Sequence, residues 1–171
     1  VVIMGYLNPI EAMGYEAFAE AAQAAGVDGV LTVDLPPEEA EQCAAFLQAR
    51  HIDTIFLLAP NSSDERIEKM AKIGSGYLYY VSVKGVTGAG HLNTADVEQK
   101  LKQIKAHTSI PVGIGFGVKD AQTAKTVSGF GDGVVVGSTL ISKIEANLDN
   151  PAQAKQEIVE LLTAMRQAMD S

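Results

Sequence analysis

PVGIGFGV, residues Pro111–Val118, and DGVVVGSTL, residues Asp132–Leu140, decide how the rest of this chain is read. Each is a short apolar run rich in valine and isoleucine that ends in glycine or serine and leads toward a helix. The first leaves its strand through Gly115-Phe116-Gly117, the second through Gly137-Ser138. Glycine lacks a Cβ, so backbone N–H groups can turn inward and approach a ligand closely. N–H groups at a helix start hold an anion without any basic side chain. Two such turns after successive strands are where (β/α)₈ barrels hold a phosphate.

Outward from these segments the same unit recurs. Apolar runs occur at Val1–Tyr6, Gly29–Asp34, Thr54–Ala59, Tyr77–Ser82, Val112–Phe116 and Gly133–Gly137. They are continuous rather than alternating, as parallel strands buried on both faces require. Helical patterns lie between them. Glu11–Ala25 is alanine-rich and stops at Gly26, and Pro37–Arg50 sets Ala40, Cys43, Ala44 and Leu47 on one face. Ser62 with Glu65 reads as a capping box for a helix through Ile73. Asp96–His107 carries Val97, Leu101 and Ile104, Ala121–Ser128 is short, and Asn150-Pro151 opens a last helix through Met169. The alternation predicts a single α/β domain over residues 1–171 with a parallel sheet. About six units of about 28 residues are present, whereas a closed barrel takes eight units and about 250 residues. The chain is therefore a doubly wound open sheet or a barrel short of about two units. Val1, already inside an apolar run, suggests a fragment that lacks them at its N-terminal side. Val27-Asp28-Gly29-Val30 and Gly131-Asp132-Gly133-Val134, each leading from a helix end into a strand, hint at internal repetition.

Composition narrows the function classes. The 171 residues carry a formal net charge of −8, which speaks against nucleic acid or an anionic membrane as partner. A small phosphorylated ligand is still compatible, because backbone dipoles supply the positive end locally. With 47% hydrophobic residues the chain can bury a real core. Cys43 is the only cysteine and sits in a helical apolar pattern, so it reads as a buried thiol. No apolar run is long enough to span a membrane, and no leader pattern precedes Val1, which points to the cytoplasm. His51, His91 and His107 lie in loops or at helix ends with no shared spacing, so they read as solvated residues and no metal is expected.

The loop Val83-Lys84-Gly85-Val86-Thr87-Gly88-Ala89-Gly90 has three glycines and leaves a strand on the side where the other turns lie, as an active-site lid does. Gly88 could add a third N–H donor to the phosphate. Asp34 ends a strand, where a carboxylate is either catalytic or the cap of the next helix. Tyr77 and Tyr79 share a face by the period of two, which leaves Tyr80 to pack against helices. Acid–base chemistry needs a positioned pair of titratable groups. Asp34 is the only carboxylate at a strand end, so the pocket lacks such a pair.

Taken in order, VVIMGYLNPI, VLTVDLPPEE, FLLAPNSSDERI, GYLYYVSVKGVTG, PVGIGFGV and GVVVGSTL resemble the α subunit of tryptophan synthase over essentially the whole chain. GVTG after a tyrosine-rich strand, followed by GFG and GS, carries the specificity of the match. The resemblance implies the C-terminal part of a (β/α)₈ TIM barrel. It implies a carbon–carbon lyase of tryptophan biosynthesis that splits indole-3-glycerol phosphate into indole and glyceraldehyde 3-phosphate by a retro-aldol reaction. By position, Gly88, Gly117, Gly137 and Ser138 would bind the phosphate, and Tyr6, Leu31, Val33, Leu57, Phe116 and Val135 would line the indole pocket. Thr87 resembles the lid threonine that bonds a catalytic aspartate, and Tyr79 the tyrosine beside a catalytic glutamate. Asn8, Pro9 and Asp34 resemble elements facing a partner β subunit in an α2β2 assembly. That partner carries pyridoxal phosphate, so no cofactor is expected in this chain. The family's catalytic glutamate and aspartate would lie upstream of Val1, so the chain alone is expected to be inactive. Two other readings stay open from the residues: a non-catalytic phosphate- or partner-binding module, and another phosphosugar aldolase or isomerase barrel. A Schiff-base aldolase would need a strand-borne lysine, and Lys84 lies in the loop.

Overall fold

The computed structural model describes residues 1–81, 94–115 and 117–171, the side chains of residues 37 and 94 apart. Its strands are β1 (Val2–Gly5), β2 (Gly29–Thr32), β3 (Asp53–Leu58), β4 (Leu78–Val81), β5 (Val112–Gly115) and β6 (Gly133–Val135). Between and after them run α1 (Leu7–Met13), α2 (Tyr15–Ala24), α3 (Pro37–Gln48), α4 (Asp64–Ile73), α5 (Thr94–Ala106), α6 (Ala121–Ser128), α7 (Ser138–Glu145) and α8 (Pro151–Met169). All six strands are parallel, and their spatial order β1-β2-β3-β4-β5-β6 is their order in the chain. An order that never reverses rules out the doubly wound alternative. Parallel crossovers share one hand, so they carry every helix to the same face of the sheet. This is the winding of a (β/α)₈ barrel, with six strands present.

The helix-facing side is the core. Val30, Phe56, Leu58, Leu78, Tyr80, Val112 and Ile114 are each at most 2% exposed and pack with Leu47, Met70, Ile104 and Val127 from the helices. The face expected of α3 (Ala40, Cys43, Ala44, Leu47) and that of α5 (Val97, Leu101, Ile104) are both buried as the periodicity requires. Large apolar side chains are exposed chiefly at the two sheet edges, with Met4 58% exposed on β1 and Ile141 54% exposed on α7.

Local chemistry departs from expectation at three places. The span Glu11–Ala25 is not one helix: Gly14, at φ +87°, ends α1 and starts α2, a backbone angle that L side chains rarely adopt. The cap of α4 is Ser63, which accepts from the Arg66 N–H; Ser62 instead accepts from the Ala59 N–H and closes the preceding turn. His107 is not merely solvated, since its ring nitrogens lie 3.2 Å from Asp64 and 3.1 Å from Glu68 across the α4–α5 pair. The last helix is as expected, with Asn150 accepting from the Gln153 N–H and Pro151 as first residue.

The two Asp-Gly junctions make the same contact. Asp132 accepts from the Val112 N–H at 2.8 Å through its side chain and donates its own N–H to the Val112 carbonyl at 2.9 Å. Asp28 pairs its carboxylate with the Val1 nitrogen and donates its N–H to the Val1 carbonyl at 2.9 Å. The repeated sequence thus fastens β2 to β1 and β6 to β5 in one way, four strands apart.

Candidate functional site

Register places the inner face of the sheet, opposite the helices. Met4 pairs with Leu31 and Leu31 with Ile55, forming a lower row that Tyr77 joins one residue before Leu78. Leu57 pairs with Tyr79, Tyr79 with Gly113 and Gly113 with Gly133, forming an upper row. Tyr6 and Val33 extend that row, each two residues beyond Met4 and Leu31. Gly115 pairs with Val135 one step higher. Tyr6, Leu31, Val33, Leu57, Tyr79 and Val135, scattered over 130 residues, therefore share one face. Leu31 and Ile55 at the centre of the sheet are 2% and 1% exposed, whereas Met4 and Tyr6 at its β1 edge are 58% and 65% exposed, so exposure rises toward the edge. Sequence reasoning did not single out Met4 and Ile55 as lining residues. The period of two that grouped Tyr77 with Tyr79 would have found both.

Two glycines make room for two tyrosines. A Cβ on Gly115 would stand 1.9 Å from the Tyr79 hydroxyl oxygen, and one on Gly113 would stand 3.3 Å from the Tyr77 ring. The rings of β4 thus lie across the bare backbone of β5. Burial pushes the Tyr79 phenol above its ordinary pKa, and the neighbouring Tyr77 adds to this. Tyr79 is accordingly a neutral hydroxyl at physiological pH, able to donate a hydrogen bond but not to act as a base.

The two glycine turns differ. Gly137 is the N-cap of α7 and offers no side-chain acceptor, so the first N–H groups of that helix have no capping partner from it. The first turn does not run straight into a helix. Gly117, at φ +36°, is followed by α6 only at Ala121, and Asp120 accepts from both the Thr123 N–H and its hydroxyl. Those hydrogen bonds hold the Asp120 carboxyl below its usual pKa. The start of α6 is thus already occupied by a carboxylate, whereas the start of α7 has no side-chain cap. The two turns are joined where the Thr139 hydroxyl donates to the Val118 carbonyl at 3.0 Å. Gly117, Gly137 and Ser138 are all exposed at this rim.

Asp34 caps a helix, but not the next one. Its carboxylate accepts from the Leu7 N–H at 2.7 Å, the first residue of α1, whose N-cap Tyr6 has no side-chain acceptor. This brings Asp34 to the corner where Asn8 and Pro9 are exposed on α1. Phe116, Thr87, Gly88, Lys84 and the rest of the glycine loop lie outside the described residues. A surface groove of about 700 Å³ lies elsewhere, between α2 and α3, lined by Tyr15, Phe46, Glu16 and Glu20. Its acidic side chains are the wrong sign for a phosphate. Among the described residues no three His, Cys, Asp or Glu side chains converge on a metal position, and no helix is long and apolar enough to cross a membrane.

The family model for the tryptophan synthase alpha chain matches residues 1–170. The tryptophan synthase alpha chain of Methylococcus capsulatus is 57% identical over all 171 residues, and that of Marinobacter nauticus 53%. The chain spans 64% and 63% of their lengths, just under two thirds. Among solved structures, the alpha subunit from Legionella pneumophila is 40% identical with a TM-score of 0.88, over 99% of this chain and 62% of that one. A chain of the tryptophan synthase complex of Pyrococcus furiosus is 30% identical with a TM-score of 0.82, over 97% of this chain and 65% of that one.

Proposed function

The chain belongs to the tryptophan synthase alpha chain family, and on that premise we propose that it forms the substrate-binding part of an indole-3-glycerol phosphate lyase. The observation that carries this reading is the inner face. An apolar wall of Met4, Leu31, Val33, Leu57 and Tyr79 lies beneath a rim formed by exposed Gly117 and the start of α7, whose first N–H groups have no side-chain cap. That combination suits a flat aromatic ring joined to a phosphate ester, with the ring on the apolar wall and the phosphate at the helix start. A phosphosugar without a ring would leave the wall unfilled.

In the retro-aldol step a base takes the glycerol hydroxyl proton, C3 of the ring is protonated, and the bond between them breaks. The pair of carboxylates for this would lie upstream of Val1. Tyr79 would donate a hydrogen bond beside them, and Thr87 would act through loop closure. Gly88, Gly117, Gly137 and Ser138 would hold the phosphate, and Phe116 and Val135 would border the ring. The exposed corner of Asn8, Pro9 and Asp34 would face a β subunit that carries pyridoxal phosphate and receives the indole. A cytoplasmic setting suits this biosynthetic role.

Calorimetric titration with glycerol phosphate tests the reading in the full-length protein. Gly137→Val should abolish binding, whereas Lys84→Ala should change it little, because backbone N–H groups rather than a lysine carry the anion. The reverse order would refute it. Thr87→Val should lower turnover strongly and leave glycerol phosphate affinity unchanged.

A further inference from the structure

We propose that Thr139 is a positioning residue for the phosphate: its hydroxyl, donating to the Val118 carbonyl, fixes the start of α7 against the Gly117 turn. This rests on the lyase reading above and adds to it a residue whose side chain acts through the backbone.

The ladder between β5 and β6 ends at Gly115 and Val135. Gly117 and Gly137 each stand two residues beyond it, and among the described residues no backbone bond joins the two turns. The Thr139 hydroxyl bridges that gap at 3.0 Å, to a carbonyl 21 residues back. Its anchor is firm, because the Val118 side chain is 3% exposed and belongs to the core. Asp120 then caps α6 two residues on, so the Gly117 turn is held from its far side. The start of α7 has no such support of its own. Gly137 supplies no side-chain cap, and α7 buries none of its residues among those described. Its second half is tied to α8 by Lys143 and Glu157 at 3.0 Å, which leaves Thr139 to tie the first. Two donors depend on that tie. The N–H groups of Leu140 and Ile141 turn back to the Gly137 carbonyl, at 2.9 and 3.2 Å, whereas those of Ser138 and Thr139 have no acceptor among the described residues. Thr139 thus carries a free N–H on its backbone and the link on its side chain. Branching at Cβ restricts its χ1, so a hydroxyl held on Val118 also steadies the backbone that bears the donor. Donors held in place before an anion arrives bind it at a lower entropy cost than donors that must first be ordered.

The experiment measures glycerol phosphate affinity by calorimetry in the full-length protein, together with the urea midpoint of each variant. Thr139→Val removes the hydroxyl and keeps the shape, so affinity should fall about five- to tenfold, the worth of one hydrogen bond. Thr139→Ser keeps the donor and should stay within about twofold of the wild type. Thr126→Val, which removes a hydroxyl-to-carbonyl bond inside α6, should leave the affinity unchanged. In a lyase assay with the partner subunit, the Thr139→Val loss should appear in KM for indole-3-glycerol phosphate rather than in kcat, because the phosphate is held alike in the ground and transition states. Thr139→Ala, which also lacks the hydroxyl, takes its place if Thr139→Val does not fold. Wild-type affinity in Thr139→Val, whatever its stability, overturns the positioning role and leaves the lyase reading intact. Thr139→Ser binding as weakly as Thr139→Val does the same. A wild type that binds no glycerol phosphate overturns the lyase reading and the positioning role with it.

Discussion

Tyr79 and Tyr80 are adjacent on one strand and have opposite roles. Tyr80 is 1% exposed and belongs to the core between sheet and helices, whereas Tyr79 is half-buried and lies over Gly115 on the inner face. The same division runs through the sheet. On β3, β4 and β5 the helix-facing set is Thr54, Phe56, Leu58, Leu78, Tyr80, Val112 and Ile114, without a glycine. The inner set alternates large side chains with Gly113, Gly115 and Gly133. One face is packed against the helices, and on the other the glycines of β5 seat the Tyr77 and Tyr79 rings. Substitutions on the first should register as stability, those on the second as ligand binding.

The largest effect is expected on the packed face. Phe56→Ala removes a ring that is 2% exposed and leaves a cavity, at about 3–5 kcal/mol. Against a net stability of about 5–15 kcal/mol this brings a domain close to unfolding. Urea denaturation should show the loss, and a cost below about 1 kcal/mol would break the distinction between the faces.

Gly115→Ala comes next. The new Cβ would overlap the Tyr79 hydroxyl, so the ring must leave its seat, at a stability cost of about 1–3 kcal/mol. On the lyase reading, turnover of the full-length protein should fall far more than stability does. Tyr79→Ala in the same background should recover the stability. No recovery would mean that the strain lies in the backbone and not in the ring.

A smaller effect sharpens the comparison at the sheet's base. Asp132 accepts from the Val112 N–H and pairs with Lys105 at 3.0 Å, which holds its carboxyl below the usual range. A lowered folded-state pKa stabilises at neutral pH and loses that contribution as pH falls below about 4 through the folded value. Asp132→Asn should therefore cost about 1 kcal/mol at pH 7 and progressively less toward pH 3. A cost that does not vary with pH would remove the charge from the explanation.

The smallest effect concerns Cys43, whose thiol burial pushes up to about 11. About one thiol in a thousand is ionised at pH 8, and that one is enclosed by the core. A thiol reagent should label it only in urea, and prompt labelling of the native protein would show the helix-facing side to be open.

How far the sequence carried the reading is visible in particular residues. The parallel α/β class, the six strands, the buried stripes of α3 and α5 and the caps of α8 follow from local chemistry: apolar period, Pro at a helix start, Asn at a cap. The common face of Tyr77 and Tyr79 follows as well, because alternation along a strand is fixed by the pleat. Three matters were settled only by tertiary structure, since each depends on partners distant in the chain. Asp34 caps α1, 27 residues back, because β1 and β2 are neighbours and bring that helix start to its carboxylate. The start of α6 is filled by Asp120, whereas that of α7 has no side-chain cap; glycine spacing alone could not separate these two turns. The third is the inner face itself. Tyr6, Leu31, Leu57, Tyr79 and Val135 become one surface only through strand order and register, which short-range pattern does not encode.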